Sequence, residues 1–233
     1  MPAEWEKQQS TLMGWPYNKN DWPGKFNNIP KIFAEIISKI TKSQKVNLLI
    51  NNHKSKNIIK KLLRKNNARV RNVKFIICKT DRVWMRDIGP IFIKDKKNQN
   101  ILLNWEFNGW AKYKNYRADN RVNLRIKDHY KGYVINPEFN KKSIVLEGGA
   151  IDVNGTGLLL TTIECLLSKI QQRNFFLKRK DYNLIFKRFF GAKKVIWLNK
   201  GIAGDDTHGH VDDIARFVKS NKVFLAYENN KKD

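Results

Sequence analysis

The chain of 233 residues is 41% hydrophobic and 12% aromatic, which is enough apolar material for a folded core and excludes a disordered or low-complexity class. Its formal net charge of +25 raises the question of nucleic-acid binding, because Lys and Arg neutralise phosphates. The basic residues are mostly lysines, and they are spread along nearly every segment instead of forming one stripe with aromatic residues between them. This spread is typical of solvated faces and does not favour specific nucleic-acid binding.

The cysteines and the N-terminus bear on the compartment. Cys78 and Cys165 occur without a CxxC motif or a regular spacing, so no disulfide scaffold is expected and a reducing compartment fits best. The N-terminus starts polar and acidic, and no stretch approaches 18 uninterrupted apolar residues. We therefore expect a cytoplasmic protein with no membrane-spanning segment.

The first 80 residues alternate between strand and helix patterns, after an opening rich in Trp, Pro and Gly. Short apolar runs indicate buried strands, and apolar residues at helical spacing indicate amphipathic helices. The patterns predict a strand at 11–15, a helix at 30–41, a strand at 46–50, a helix ending at 66–67 and a strand at 73–78. This alternation is an α/β signature.

From residue 81 the predicted elements recur in the order hairpin, helix, strand. The first unit is predicted to contain strands at 84–93 and 101–107, a helix at 119–129 and a strand at 133–135. The second is predicted to contain strands at 144–153 and 157–162, a helix at 182–190 and a strand at 194–198. The third begins with predicted strands at 210–218 and 223–227. We interpret the chain as a single domain with approximate repeats at 1–80, 81–140, 141–200 and 201–233.

One polar residue falls on the predicted first strand of each repeat. Asp87, Glu147 and His210 are separated by 60 and 63 positions, which argues for blades around a common centre. On a strand, His210 and Asp212 would point to the same face. We expect a central cleft lined by these four residues, although Asp near Gly is often only a turn cap, as Asp87 could be. Glu147 precedes Gly148-Gly149 in an apolar run, which favours a functional role.

The densest group of titratable residues is the segment 201–217, which includes Asp205, Asp206, His208, His210 and Asp212. His and carboxylate at alternating strand positions can share a metal ion, but no Cys cluster or separated His pair completes such a site, so we expect no metal. Several carboxylates and a histidine facing one cleft suit a planar guanidinium, whose N–H groups carboxylates accept in pairs. His210 could then protonate departing ammonia after attack by a nucleophile, and that scheme needs a thiolate.

Long segments of the chain match a known family. They are MPAEWEKQQSTLMGWPYNKNDWPGKF at 1 to 26, WMRDIGPIFI at 84 to 93, NWEFNGWAKY at 104 to 113, LEGGAIDVNGTGLLLTTIECLL at 146 to 167 and VIWLNKGIAGDDTHGHVDDIARFV at 195 to 218. On these segments the chain resembles the agmatine deiminases and the bacterial-type peptidyl-arginine deiminases of the guanidine-modifying pentein superfamily.

The resemblance implies a five-bladed α/β-propeller (pentein) fold, with Asp87 and Asp212 gripping the guanidinium and Glu147 close by. It further implies His210 as general acid and base, and Trp84 and Asp206 as substrate-binding residues. The implied reaction is hydrolysis of agmatine to N-carbamoylputrescine and ammonia through a covalent cysteine adduct, on the route to putrescine, without metal or cofactor. In the full-length form a homo-oligomer is left open.

The chain departs from the family pattern in two ways. The family's nucleophilic cysteine lies in a Gly-rich segment near the end of a longer chain, and neither Cys78 nor Cys165 matches that motif. In addition, His208 stands where the family commonly has Asp. We therefore expect a C-terminally truncated deiminase, with its last blades missing, that does not hydrolyse agmatine alone.

Two other functions remain open at this stage. A deiminase acting on peptidyl or free arginine would need a cationic group for the carboxylate or backbone of its substrate, and Arg82, Arg117 and Arg121 are the candidates. In a different class, the chain could be a non-catalytic guanidine-binding protein or a basic nucleic-acid-binding protein.

Overall fold

The computed structural model describes residues 1 to 229. Its α-helices are α1 (Ile29–Ile40), α2 (Ser55–Lys65), α3 (Met85–Ile88), α4 (Val122–Ile126), α5 (Ile163–Leu167) and α6 (Arg179–Phe190). Its strands are β1 (Ser10–Gly14), β2 (Lys45–Ile50), β3 (Val73–Ile77), β4 (Ile91–Lys94), β5 (Asn100–Leu103), β6 (Tyr133–Ile135), β7 (Glu138–Phe139), β8 (Lys142–Ser143), β9 (Asp152–Val153), β10 (Leu158–Thr162), β11 (Lys194–Leu198), β12 (Ala215–Lys219) and β13 (Lys222–Leu225).

The chain divides into two compact units. The smaller unit comprises Lys7–Gly89 and Asn115–Tyr130, and the larger unit comprises Met1–Glu6, Pro90–Lys114 and the described part of Lys131–Asp233. The interpretation of the chain as one domain of four approximate repeats stays a prediction.

The smaller unit contains a parallel sheet in the order β1-β2-β3. Residues 10–14 of β1 pair with 45–49 of β2, and 46–50 of β2 pair with 73–77 of β3. Its core contains Ile37 of α1, Leu48 of β2 and Leu63 of α2, all fully buried. The helical spacing of the apolar residues thus forms the packed face of each helix. The strands and helices predicted before residue 80 are confirmed within a few residues at each end.

The larger unit contains two sheets with the same topology, β4-β5-β6 and β9-β10-β11. In each sheet the first two strands are antiparallel and the third runs parallel to the second. A parallel return needs a crossover connection, which is why a helix such as α6 stands between β10 and β11 in the sequence. Tyr182 and Phe186 of α6 are fully buried in the core cluster that also contains Leu159 of β10.

Three predicted strands are wrong at their starts, because a short helical turn precedes each. The segment 84–93 begins with α3, and β4 starts only at Ile91. Gly89 ends the helix in an extended conformation, as expected for a residue before proline. In the segment 144–153, a single bridge at Val145 and a 3₁₀ turn at Gly148–Ala150 precede the two-residue strand β9.

The third correction concerns the segment 210–218. His210 precedes a 3₁₀ turn at Val211–Asp213, and the strand begins at Ala215. The strand-alternation argument for His210 and Asp212 therefore does not apply. The final predicted strand, 223–227, is shorter than expected and shifted, because β13 spans Lys222–Leu225.

Among residues 1 to 229, no helix combines the length and apolar character needed to cross a membrane.

Candidate functional site

The three residues that the repeat pattern singled out occupy comparable places in the chain. Asp87 lies in α3, four positions before β4 begins at Ile91. Glu147 precedes the 3₁₀ turn that leads to β9, and His210 precedes the one that leads to β12. The relevant structural position is therefore the helical turn before each first strand, and not the strand itself.

His210 lies between two carboxylates of the larger unit. Its Nε2 atom is 3.7 Å from Oε2 of Glu147, and its Nδ1 atom is 3.9 Å from Oδ1 of Asp212. Glu147 is fully buried, His210 is almost fully buried, and the side chain of Asp212 is 17% exposed. His210 therefore lies beside two acidic side chains, as expected. A helical turn brings His210 and Asp212 together, and not the alternation of side chains along a strand.

Arg173 holds Glu147 in its charged form. Its Nε donates a hydrogen bond of 3.0 Å to Oε1 of Glu147, and both side chains are completely buried. Burial alone would raise the pKa of the Glu147 carboxyl, but the Arg173 guanidinium and then His210 outweigh it and lower the pKa to about 2. Arg173 also donates to the backbone carbonyls of Gln171 and Thr207, so it links Glu147 to the loop that precedes His210.

Asp205 organises that loop. Its carboxylate accepts hydrogen bonds from the hydroxyl and backbone N–H of Thr207, at 2.7 and 2.8 Å, and from the backbone N–H groups of Gly209 and His210, at 2.8 and 3.0 Å. Burial raises the pKa of Asp205, but these bonds outweigh it and hold the pKa below its usual value. Asp205 thus positions the backbone of His210.

Asp206 already has a cationic partner. The Lys112 ammonium donates to Oδ1 of Asp206, and the Tyr113 hydroxyl donates to Oδ2 at 2.6 Å. Burial raises the pKa of Asp206, but the hydrogen bonds from these two donors outweigh that effect and lower the pKa below its usual value. A substrate ammonium that approached Asp206 would therefore compete with Lys112.

Cys165 also lies beside Glu147 and His210, a position that sequence spacing did not reveal. It lies on α5 and is fully buried, and its Sγ, a carboxylate oxygen of Glu147 and a ring nitrogen of His210 all lie within 4.8 Å of one another. The Thr162 hydroxyl accepts from the Cys165 backbone N–H and donates to the Gly209 carbonyl, which ties α5 to the His210 loop. No motif spacing pointed to Cys165 or to Arg173.

Two further residues that sequence analysis associated with the substrate lie in the smaller unit. Trp84 is 45% exposed, and its ring centroid is 5.9 Å from that of Trp22. Asp87 is partly buried, and its backbone N–H donates to the Trp84 carbonyl at 3.0 Å. Both residues therefore belong to the turn that contains α3.

The smaller unit also contains the candidate arginines. Arg82 is 5% exposed and donates to Asn115 at 2.6 and 2.8 Å, with the Asp119 carboxylate 3.6 Å away. The Arg82 guanidinium is therefore engaged in a buried network, and the suggestion that it receives a substrate carboxylate stays a prediction. Arg117 and Arg121 are exposed.

A protein-family model for the Porphyromonas-type peptidyl-arginine deiminases matches residues 1–233. The chain belongs to this family. It is 32% identical over 238 residues to a candidate agmatine deiminase of Mycoplasma capricolum, and 30% identical over 241 residues to one of Selenomonas ruminantium. Each alignment covers 100% of this chain and 62% of the relative, so the chain spans less than two thirds of the length of these relatives.

Solved structures of deiminases match as well. A cysteine-to-serine variant of C. jejuni agmatine deiminase with substrate bound is 29% identical, with a TM-score of 0.85, over 99% of this chain and 65% of that one. The agmatine deiminase of Enterococcus faecalis is 26% identical, with a TM-score of 0.86, over 100% of this chain and 62% of that one. The predicted α/β pentein fold is therefore confirmed for this family member, over the part of the fold that its length covers.

Proposed function

We propose that this chain provides the guanidinium-binding and proton-transfer groups for hydrolysis of agmatine to N-carbamoylputrescine and ammonia, on the route to putrescine. The observation that carries the proposal is the position of His210 between Glu147 and Asp212, in a chain that belongs to a deiminase family. The solved relatives include an agmatine deiminase with substrate bound, which supports a guanidine substrate.

In this proposal each residue has a separate task. Asp87 and Asp212 accept the N–H groups of the guanidinium, since a carboxylate and a guanidinium form paired, charge-assisted hydrogen bonds. Glu147 keeps a negative charge beside His210, which favours the protonated imidazole. His210 donates that proton to the departing ammonia and then takes one from the incoming water. Trp84 packs on the substrate.

The covalent step needs a thiolate at the central carbon of the guanidinium. Cys78 and Cys165 both lie outside the family's nucleophile motif, and both are buried. Burial raises the pKa of the Cys78 thiol, which makes it a poor nucleophile. We therefore expect the 233-residue chain to bind agmatine without releasing ammonia.

Asp206 is proposed to receive the distal ammonium of agmatine, in competition with Lys112. The Lys112 cation also favours a second candidate substrate, a peptidyl or free arginine, because it could receive the carboxylate or carbonyl that agmatine lacks. We further infer a small-molecule guanidine as the partner and a cytoplasmic location, which the two free cysteines support. A homo-oligomer of the full-length form is part of the same proposal.

Calorimetric titration of the 233-residue chain with agmatine and with N-acetyl-arginine amide tests the proposal. Asp212→Asn removes a charged acceptor and should weaken agmatine binding about 10- to 100-fold, since hydrogen bonds to charged groups contribute about 1.5–3 kcal/mol. Asp213→Asn is the matched control and should leave the affinity within about threefold. Equal losses in the two variants would contradict the proposal, and so would ammonia release by the chain alone. Tighter binding of the arginine derivative would favour the second candidate.

A further inference from the structure

Three different metal-ligand types meet at one point of the larger unit. Glu147 precedes a 3₁₀ turn, Cys165 lies on α5 and His210 precedes a second 3₁₀ turn, so separate segments contribute the three side chains. Each is at most 2% exposed, and one ligand atom from each lies within 4.8 Å of the other two. A carboxylate, a thiol and an imidazole are the ligands that zinc uses in proteins.

The spacing suits one shared ion better than it suits direct contact. Nε2 of His210 and Oε2 of Glu147 are 3.7 Å apart, which is too long for a normal hydrogen bond. Tetrahedral zinc, with ligands at about 2.0–2.3 Å, holds its ligand atoms roughly 3.3–3.6 Å apart. The Glu147–His210 gap is therefore nearly that of two ligands of one ion, and the largest gap in the cluster would need to close by about 1 Å.

The surroundings of the cluster also resemble a metal site. Zinc-bound histidines usually donate their second ring N–H to a carboxylate, and Nδ1 of His210 lies 3.9 Å from Oδ1 of Asp212, which is ion-pair range and about 1 Å longer than such a hydrogen bond. Arg173 binds Oε1 of Glu147, which leaves Oε2 to point at His210. Within residues 1 to 229, this buried Oε2 atom has no hydrogen-bond partner at normal distance.

The charges would balance around a divalent ion. Glu147, Asp212 and a Cys165 thiolate contribute three negative charges, and Arg173 contributes one positive charge, so an added divalent cation brings the group to neutrality with neutral His210. Binding requires the Cys165 thiol and the protonated imidazole of His210 each to release a proton to solvent, and a metal–sulfur bond and a metal–nitrogen bond replace the S–H and N–H bonds.

We propose that Glu147, Cys165 and His210 form a binding site for one thiophilic divalent cation of the zinc class, with three protein ligands and one exchangeable water. The site goes beyond the guanidine chemistry, because the same Glu147 and His210 would be engaged by the ion. A bound ion would therefore exclude their action on a guanidinium. The site would act as an inhibitory metal site and not as a cofactor site.

Cobalt(II) is the probe, because a cobalt–thiolate bond gives a charge-transfer band in the near ultraviolet. Titration of the 233-residue chain with Co²⁺ should produce this band at one equivalent, and Zn²⁺ should displace it. Cys165→Ser should abolish the band and weaken zinc binding at least about tenfold, because thiolate is the softest ligand of the set. Cys78→Ser is the matched control at the other buried cysteine, and it should keep both the charge-transfer band and the zinc affinity.

A second variant guards against a Cys165→Ser chain that fails to fold. His210→Asn keeps the thiol but removes the imidazole, so the charge-transfer band should persist at reduced affinity. Circular dichroism checks that each variant is folded. The absence of a stoichiometric band in the wild-type chain overturns the proposal by itself, and so does a band that survives in folded Cys165→Ser or disappears in Cys78→Ser. These measurements do not involve agmatine, so they test the metal site independently of the proposed function.

Discussion

Replacing Arg173 by Met tests the buried ion pair on which the site depends. Methionine keeps most of the side-chain length but removes the guanidinium that donates to Glu147 and to the carbonyls of Gln171 and Thr207. Because both charged side chains are completely buried, the variant would leave the Glu147 carboxylate in the core without its cation. We expect the folded chain to be strongly destabilised at neutral pH.

The magnitude follows from the burial. Breaking a buried ion pair by removing one partner costs about 3–5 kcal/mol. With a urea m-value of about 2 kcal/mol per M, this cost lowers the unfolding midpoint by roughly 2 M. The double variant Arg173→Met with Glu147→Gln carries neither charge and should recover at least about 2 kcal/mol of that loss.

The pH dependence gives a second readout. The pKa of Glu147 is lowered from 4.5 to about 2 in the folded chain, so its stabilising contribution is complete above pH 4.5 and is lost as the pH falls through about 2. At about 1.4 kcal/mol per pKa unit, this contribution is about 3 kcal/mol. The difference in free energy of unfolding between the wild type and the double variant should shrink by about that amount on acidification.

Urea unfolding, followed by circular dichroism at several pH values, measures both effects. The reasoning is refuted if Arg173→Met costs less than about 1 kcal/mol, or if the single and double variants unfold at the same urea concentration. If the difference in free energy of unfolding between the wild type and the double variant does not change between pH 4.5 and 2, the assignment of the lowered pKa to Glu147 is refuted.

Two further predictions concern the loop before His210 and the partner of Asp206. Gly209→Ala should destabilise the chain by about 2 kcal/mol or more in thermal unfolding, because φ is +91° and an added Cβ would lie 2.9 Å from a neighbouring side chain. Gly204→Ala, with φ +80° and open space, should cost only about 1 kcal/mol, and equal costs would contradict the steric argument. Lys112→Gln should tighten agmatine binding about threefold in calorimetry at low salt, since it frees Asp206, whereas Lys114→Gln should have no effect. Weaker binding in Lys112→Gln would show that Lys112 assists the substrate.

The sequence alone determined the element order, the α/β class and the family. Apolar periodicity reports which face of a segment is buried, so α1, α2, α6, β2 and β10 could be predicted within a few residues. The strand predicted at 101–107 was too long, because β5 ends at Leu103. The same periodicity cannot distinguish a short helical turn from the start of a strand, because such a turn is too brief to show a helical period. For this reason the turns before β4, β9 and β12 were predicted as strand.

Only the tertiary structure decided which side chains surround His210. Glu147 and Asp212 were predicted as its companions, and the structure brings all three together in the larger unit. Arg173 and Cys165 were not predicted, since they reach the cluster from segments 37 and 45 positions before His210, and no local pattern encodes such a contact. Contacts between distant segments arise from the packing of α5 and of the loops on the sheets, which the sequence pattern of any one segment does not contain.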